Sequence, residues 1–132
     1  MQDFTKLRVW RSAHRLRLAV YKVTQTFPAD ERFGLTSQLR RSSSSIAANI
    51  AESCGYRGGA VSARFLSIAL GSRSETLDHL VLARDLQYLS RDAFLPLERE
   101  LDGIRRMLVS LSKRMTSVVK RQTPNVKQPF DV

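Results

Sequence analysis

Apolar residues recur along most of this chain at the alternating 3-and-4 spacing of an α-helix, and no stretch alternates convincingly with the period of two that marks a half-buried strand. Between Lys6 and Phe27, Val9, Ala13, Leu16, Val20, Val23 and Phe27 share one sector, which predicts an amphipathic helix. Arg8, Arg11, Arg15 and Lys22 share a second sector, and Leu7, Trp10, Leu18 and Tyr21 a third. A bundle needs one apolar face per helix. The additional one predicts packing against a further helix or another subunit.

Pro28 ends this helix, and Asp30 and Gly34 supply turn chemistry. A second helix is expected over 36–54, with Thr36 as its N-cap. Its apolar side is Leu35, Leu39, Ser43, Ile46, Ala47, Ile50 and Cys54, rich in small residues that let helix axes approach closely. Beside it runs a polar stripe of Gln38, Arg41, Ser45, Asn49 and Glu52. The glycines of Ser53–Gly59 suit left-handed backbone and predict the longest connection in the chain. A third helix is expected over 60–89. On it Val61, Phe65, Ile68, Ser72, Glu75, His79, Leu82, Leu86 and Leu89 form one row, in which Ser72, Glu75 and His79 suggest a buried polar layer. Gly71 costs this helix about 1 kcal/mol and points to a close neighbouring backbone.

Ser90 and Asp92 offer caps for a fourth helix over 91–119, whose regular part is expected near Leu95 because Pro96 is tolerated only early in a helix. Its seam of Leu97, Leu101, Ile104, Leu108, Leu111, Met115 and Val118 is the strongest periodic signal in the chain. Residues 120–132 carry two prolines and no period, and read as a flexible basic tail. The resulting expectation is one domain over 1–119, all-α, folded as an antiparallel up-down four-helix bundle.

Charge changes the picture more than composition does. The chain of 132 residues has 22 Lys and Arg against 12 Asp and Glu, a net charge of +10. The excess is local: 6 against 1 over residues 1–27 and 9 against 5 over residues 91–132. A field of this sign attracts phosphate. One cysteine, Cys54, excludes an internal disulfide, and two histidines cannot complete a four-ligand zinc site. Neither a secretory leader nor a spanning helix is legible, so the expected setting is the cytoplasm, with no membrane partner. No phosphate loop, nucleophile elbow or other cofactor-binding pattern occurs, which predicts no cofactor, no metal and no catalytic residues.

The pattern Leu7-x-x-Trp10, Phe27-Pro28-x-x-Glu31-x-Phe33-Gly34-Leu35-x-x-Gln38-x-Arg40-Arg41, Ser45-Ile46-x-x-Asn49-Ile50-Ala51-Glu52 and Phe65-Leu66-x-Ile68-Ala69-x-Gly71-Ser72-x-x-Glu75 resembles the four-helix-bundle proteins encoded in intervening sequences of large-subunit ribosomal RNA genes. That family is similar in turn to the accessory variability determinant protein of diversity-generating retroelements. The likeness covers about residues 4–115. Ala47 stands where many members have Pro, and Ser53 where they have Gly. The resemblance implies a homopentameric, barrel-like ring of bundles with a basic surface. It also implies a structural role for the polar layer of Arg41, Asn49, Glu52, Ser72 and Glu75.

Three functional readings follow. The first is a non-enzymatic oligomer that binds RNA or DNA with little sequence preference, through Arg8, Arg11, Arg15, Lys22, Arg105, Arg106, Lys113, Arg114, Lys120 and Arg121. The second is an adaptor that docks a protein such as a reverse transcriptase. The third is a metal-independent RNase resembling the HEPN superfamily, suggested by an Arg with a His six positions on in Arg8/His14 and Arg73/His79. In that motif Asn, Asp or His usually follows the Arg, and here Ser74 stands in that place after Arg73.

Overall fold

A computed structural model of the chain describes residues 3–56 and 58–122, with side chains as far as residue 115. The regular elements among these residues are all helical. They are two 3-10 turns, Phe4–Lys6 and Ala29–Glu31, and four α-helices, α1 (Arg8–Thr24), α2 (Leu35–Ser53), α3 (Gly59–Asp85) and α4 (Arg91–Gln122).

Each helix end has a local cause, and several differ from the sequence expectation. α1 stops at Thr24, whose hydroxyl donates back to the Val20 carbonyl at 2.7 Å, and i→i+3 bonds tighten the chain through Phe27. α2 is not capped by Thr36, which lies inside the helix and is buried. The Glu31 carboxylate reaches forward instead, accepting from the Leu35 N–H at 3.3 Å. α3 opens on two glycines in the left-handed region, Gly58 (φ 79°) and Gly59 (φ 83°), a conformation that costs other residues about 1–2 kcal/mol. It closes four residues earlier than expected. Gln87 adopts φ 66°, its N–H bonds the Arg84 carbonyl, and the Tyr88 N–H bonds the Ala83 carbonyl, each at 2.9 Å. Those two bonds make a Schellman ending with Gln where Gly is usual, which hid it from sequence inspection. The Ser90 hydroxyl accepts from the Ala93 N–H at 3.1 Å and starts α4 at Arg91. Pro96 therefore sits within the helix rather than at its first turn. The carbonyl it leaves without an amide partner belongs to Asp92, an exposed residue open to water. α4 also continues through residues 120–122, where the sequence predicts the start of the tail. The rest of the tail, 123–132, lies outside the described residues.

α1 packs against α2 and α4, and α3 packs against α2 and α4, around one shared core. The predicted faces of α2 and α4 are the buried ones: Leu39, Ile46, Ala47 and Ile50 on α2, and Leu101, Ile104 and Leu108 on α4, are fully inside. Val118 lies beyond the described side chains. On α1 the core row Val9, Ala13, Leu16 and Val20 is joined by Ser12 and Thr24.

α3 is rotated from expectation, with Ser72 of the expected row at the edge of the buried side. Its core side is Ser62, Leu66, Ala69, Ser72, Thr76, Leu80 and Ala83, while Val61, Ile68, Leu82 and Leu86 are each 43–48% exposed. The sequence offers two apolar rows on this helix. Packing selects the one rich in small residues, because α2 presents Ser42, Ser43, Ile46 and Ala47 and the closest approach comes from small against small. Gly71 does not face a neighbour: a Cβ there would meet nothing within 4 Å. No helix among the described residues is long and apolar enough to cross a membrane.

Candidate nucleic-acid interface

The two basic regions of the sequence meet where the start of α1 lies beside the C-terminal half of α4. Lys6, Leu7, Arg8 and Val9 on one wall and Met107, Ser110, Leu111 and Arg114 on the other enclose an open groove of about 290 Å³. Arg8, Arg11, Lys113 and Arg114 are exposed, and none has a carboxylate within ion-pair distance among the described residues. Arg11 is held by a bond from its Nε to the Thr5 carbonyl at 2.8 Å. Close by, that bond and two contacts from Thr5 hold the Asp3 turn together. The Thr5 hydroxyl and amide, and then the Arg11 charge, keep the Asp3 carboxyl below the usual carboxylate range.

The other cations are spent differently. Arg15 approaches Glu100 of α4 at 3.4 Å, and the same carboxylate accepts from the buried Ser12 hydroxyl at 2.6 Å. Arg105 and Arg106 both pair with Asp102 one turn earlier on α4. Lys22 is exposed towards the far end of α1, and the side chains of Lys120 and Arg121 lie outside the described residues. Of the ten cations expected to form one surface, Arg8 and Arg114 line the groove and Arg11 and Lys113 are exposed on the same two helices, whereas Arg15 pairs with Glu100 and Arg105 and Arg106 share the single carboxylate of Asp102. The i+3 and i+4 spacing from Asp102 carries that signal in the sequence. Glu100, the partner of Arg15, gives no such signal because the contact is between helices.

The polar layer also divides. Asn49 Nδ2 donates to the Ser45 carbonyl at 2.8 Å and lies 3.0 Å from Ser45 Oγ, which lies 2.8 Å from Ser72 Oγ. Below them Thr76 Oγ1 lies 2.9 Å from Ser42 Oγ and 2.8 Å from the Ser72 carbonyl. These hydroxyls form a seam between α2 and α3. Arg41, Glu52 and Glu75 are exposed outside it, with Arg41 and Glu75 lining an open cleft of about 410 Å³. Ser42 and Thr76 belong to the seam as well, beyond the residues of the expected polar layer. Thr76 follows Ser72 by one turn, which is the available clue.

Neither Arg/His pair is hydrogen-bonded together among the described residues. His14 stacks on Trp10 at 4.9 Å and its Nδ1 accepts from Arg17, not Arg8. Arg73 Nε donates to the Leu101 carbonyl at 3.0 Å, whereas His79 lies 3.3 Å from Glu75. Burial, followed by repulsion from Arg105, weakens Arg73's hold on its proton, with Asp102 opposing. Among the described residues no three acidic, His or Cys side chains cluster as metal ligands would.

Four helices around a single core, with a basic end and no strand among the described residues, define a small all-α protein whose surface charge is its most distinctive feature. The model of the family described as 23S rRNA-intervening sequence protein matches residues 5–110, and the chain belongs to that family. It is similar to a protein of unknown function of the S23 ribosomal protein family from Bacteroides thetaiotaomicron, whose crystal structure was solved at 1.70 Å. The two are 26% identical with a TM-score of 0.71, over 80% of this chain and 98% of that one. Comparison with curated proteins finds no match.

Proposed function

We propose that this protein is a non-enzymatic, cytoplasmic nucleic-acid-binding bundle that engages phosphates through the α1/α4 end, with little preference for base sequence. The observation that carries this reading is the convergence of Lys6, Arg8 and Arg114 on one groove whose lining contains no carboxylate. Arginine and lysine in such a place read charge and shape. The facing pairs Ser42/Thr76, Ser45/Ser72 and Ser53/Ser62 support α2 and α3 running antiparallel. Ser12/Glu100, together with the shared groove of residues 6–9 and 107–114, supports the same for α1 and α4.

The test is fluorescence anisotropy of labelled RNA and DNA against the purified protein across a salt series. Binding weakens steeply with salt, and Arg8→Ala with Arg114→Ala reduces the slope of log affinity against log salt by about 2, one per phosphate contact. Arg105→Ala with Arg106→Ala has a smaller effect because Asp102 already holds both guanidinium groups. Absence of binding at low salt would sink the reading.

A second reading is favoured by the exposed apolar row of α3, Val61, Ile68, Leu82 and Leu86. Such a row suits protein contact, either between copies in a homopentameric ring of the kind the family likeness implies or with a partner such as a reverse transcriptase. Ile68→Glu with Leu82→Glu lowers the mass measured by sedimentation if copies meet there. An unchanged mass removes that surface from the assembly.

A further inference from the structure

The geometry points to an unpaired nucleotide as the occupant of the α1/α4 groove, so that the ligand class is single-stranded rather than duplex nucleic acid. This rests on the phosphate-binding reading above and goes one step further, to what lies between the phosphates. The groove has a two-part construction. Its apolar lining is the inner part, or floor, since Leu7, just before α1, and Met107 of α4 are half-buried and Leu111 is buried, while the exposed Lys6 and Arg8 on one wall and Arg114 on the other form the rim.

A surface that only met phosphate would have no use for an apolar floor between its cations, since charge is recognised as well by side chains standing on a polar helix face. A surface that only met protein would not crowd three cations that have no ion-pair partner among the described residues around so small a cleft. One ligand satisfies both parts at once: a planar apolar ring bracketed along its chain by anionic groups. That is a nucleotide within a strand. The volume of about 290 Å³ lies at the lower edge of the roughly 300–1,000 Å³ that accommodates larger ligands, and suits one base. A duplex keeps its bases stacked and paired inside, presents only its phosphates here, and leaves the floor unused. Cations on both walls place a phosphate contact on either side of the inserted base.

The experiment uses the full chain and three labelled probes of equal length at one moderate salt concentration: oligo(dT), an abasic deoxyribose-phosphate strand, and a mixed-sequence duplex. Oligo(dT) is expected to bind about tenfold more tightly than the abasic strand, which carries the same charge without bases, and more tightly than the duplex. Ser110→Leu, an exposed groove position on α4, fills the cleft without altering charge or core, and is expected to bring oligo(dT) down to the abasic level. Met107→Ala serves as a second variant, and circular dichroism verifies the fold of both. Equal affinity for oligo(dT) and the abasic strand, or a preference that survives both variants, overturns the inference while leaving phosphate binding intact. Failure of all three probes to bind overturns the phosphate reading and this inference with it.

Discussion

Cys54 illustrates how much a single small side chain is set by its surroundings. The sequence places it on the apolar side of the second helix, and it is buried just beyond the end of α2. Burial pushes its thiol up, against a smaller opposing effect of the Ser53 hydroxyl, so the folded protein keeps it protonated where the unfolded chain lets it ionise. The sign follows: stability is full below the unfolded thiol's value of about 8.5 and falls as pH rises beyond it. Urea titrations from pH 7 to 10 under reducing conditions should show that decline, and Cys54→Ala should flatten its first part. Tyr88, pushed up by burial and by the neighbouring Glu31 carboxylate, adds a decline of the same sign closer to pH 10. In the native state the thiol should react with a disulfide reagent far more slowly than in urea. Equal rates in the two states would contradict this account.

Among the elements, α2 and α4 were legible because each has one apolar stripe and one polar flank, and a helix of that kind has a single way to face a core. α3 was legible as a helix but not in its rotation. Its two apolar rows are nearly equivalent in the sequence, and the choice between them is made by small residues on α2 that sequence periodicity does not weigh. The same blindness applies to the end of α3, where a Gln does what Gly usually does. That position yields a prediction: Gln87→Gly removes the left-handed backbone cost and should stabilise the protein by about 1 kcal/mol, raising the thermal midpoint by several degrees in calorimetry. A loss of stability would mean that the Gln87 side chain contributes more than its backbone costs.

For the whole molecule, the total charge is legible in the sequence but its distribution is not. Counting cations along the chain treats Arg15, Arg105 and Arg106 like Arg8 and Arg114, yet Glu100 and Asp102 answer the first three and the last two face an open groove. Asp102 was within reach of sequence reasoning, by spacing. The groove was not, because it exists only once residues 6–9 and 107–114, a hundred positions apart, are brought together. The binding predictions for Arg8, Arg114 and Ser110 therefore belong to this scale, and the salt series and the abasic strand separate their electrostatic and apolar parts.

The stack at the start of α1 has a practical use. Trp10, the one tryptophan of the chain, lies 5.1 Å from the Phe4 ring and 4.9 Å from the His14 ring, with the Arg17 guanidinium over it at 6.0 Å. It stands one helical turn after Leu7, on the groove's own helix. The protein thus carries a built-in optical probe next to the surface in question. Excited at the red edge of its absorption, where the three tyrosines do not absorb, its emission can follow the approach of an unlabelled strand in real time, with no dye attached to either molecule.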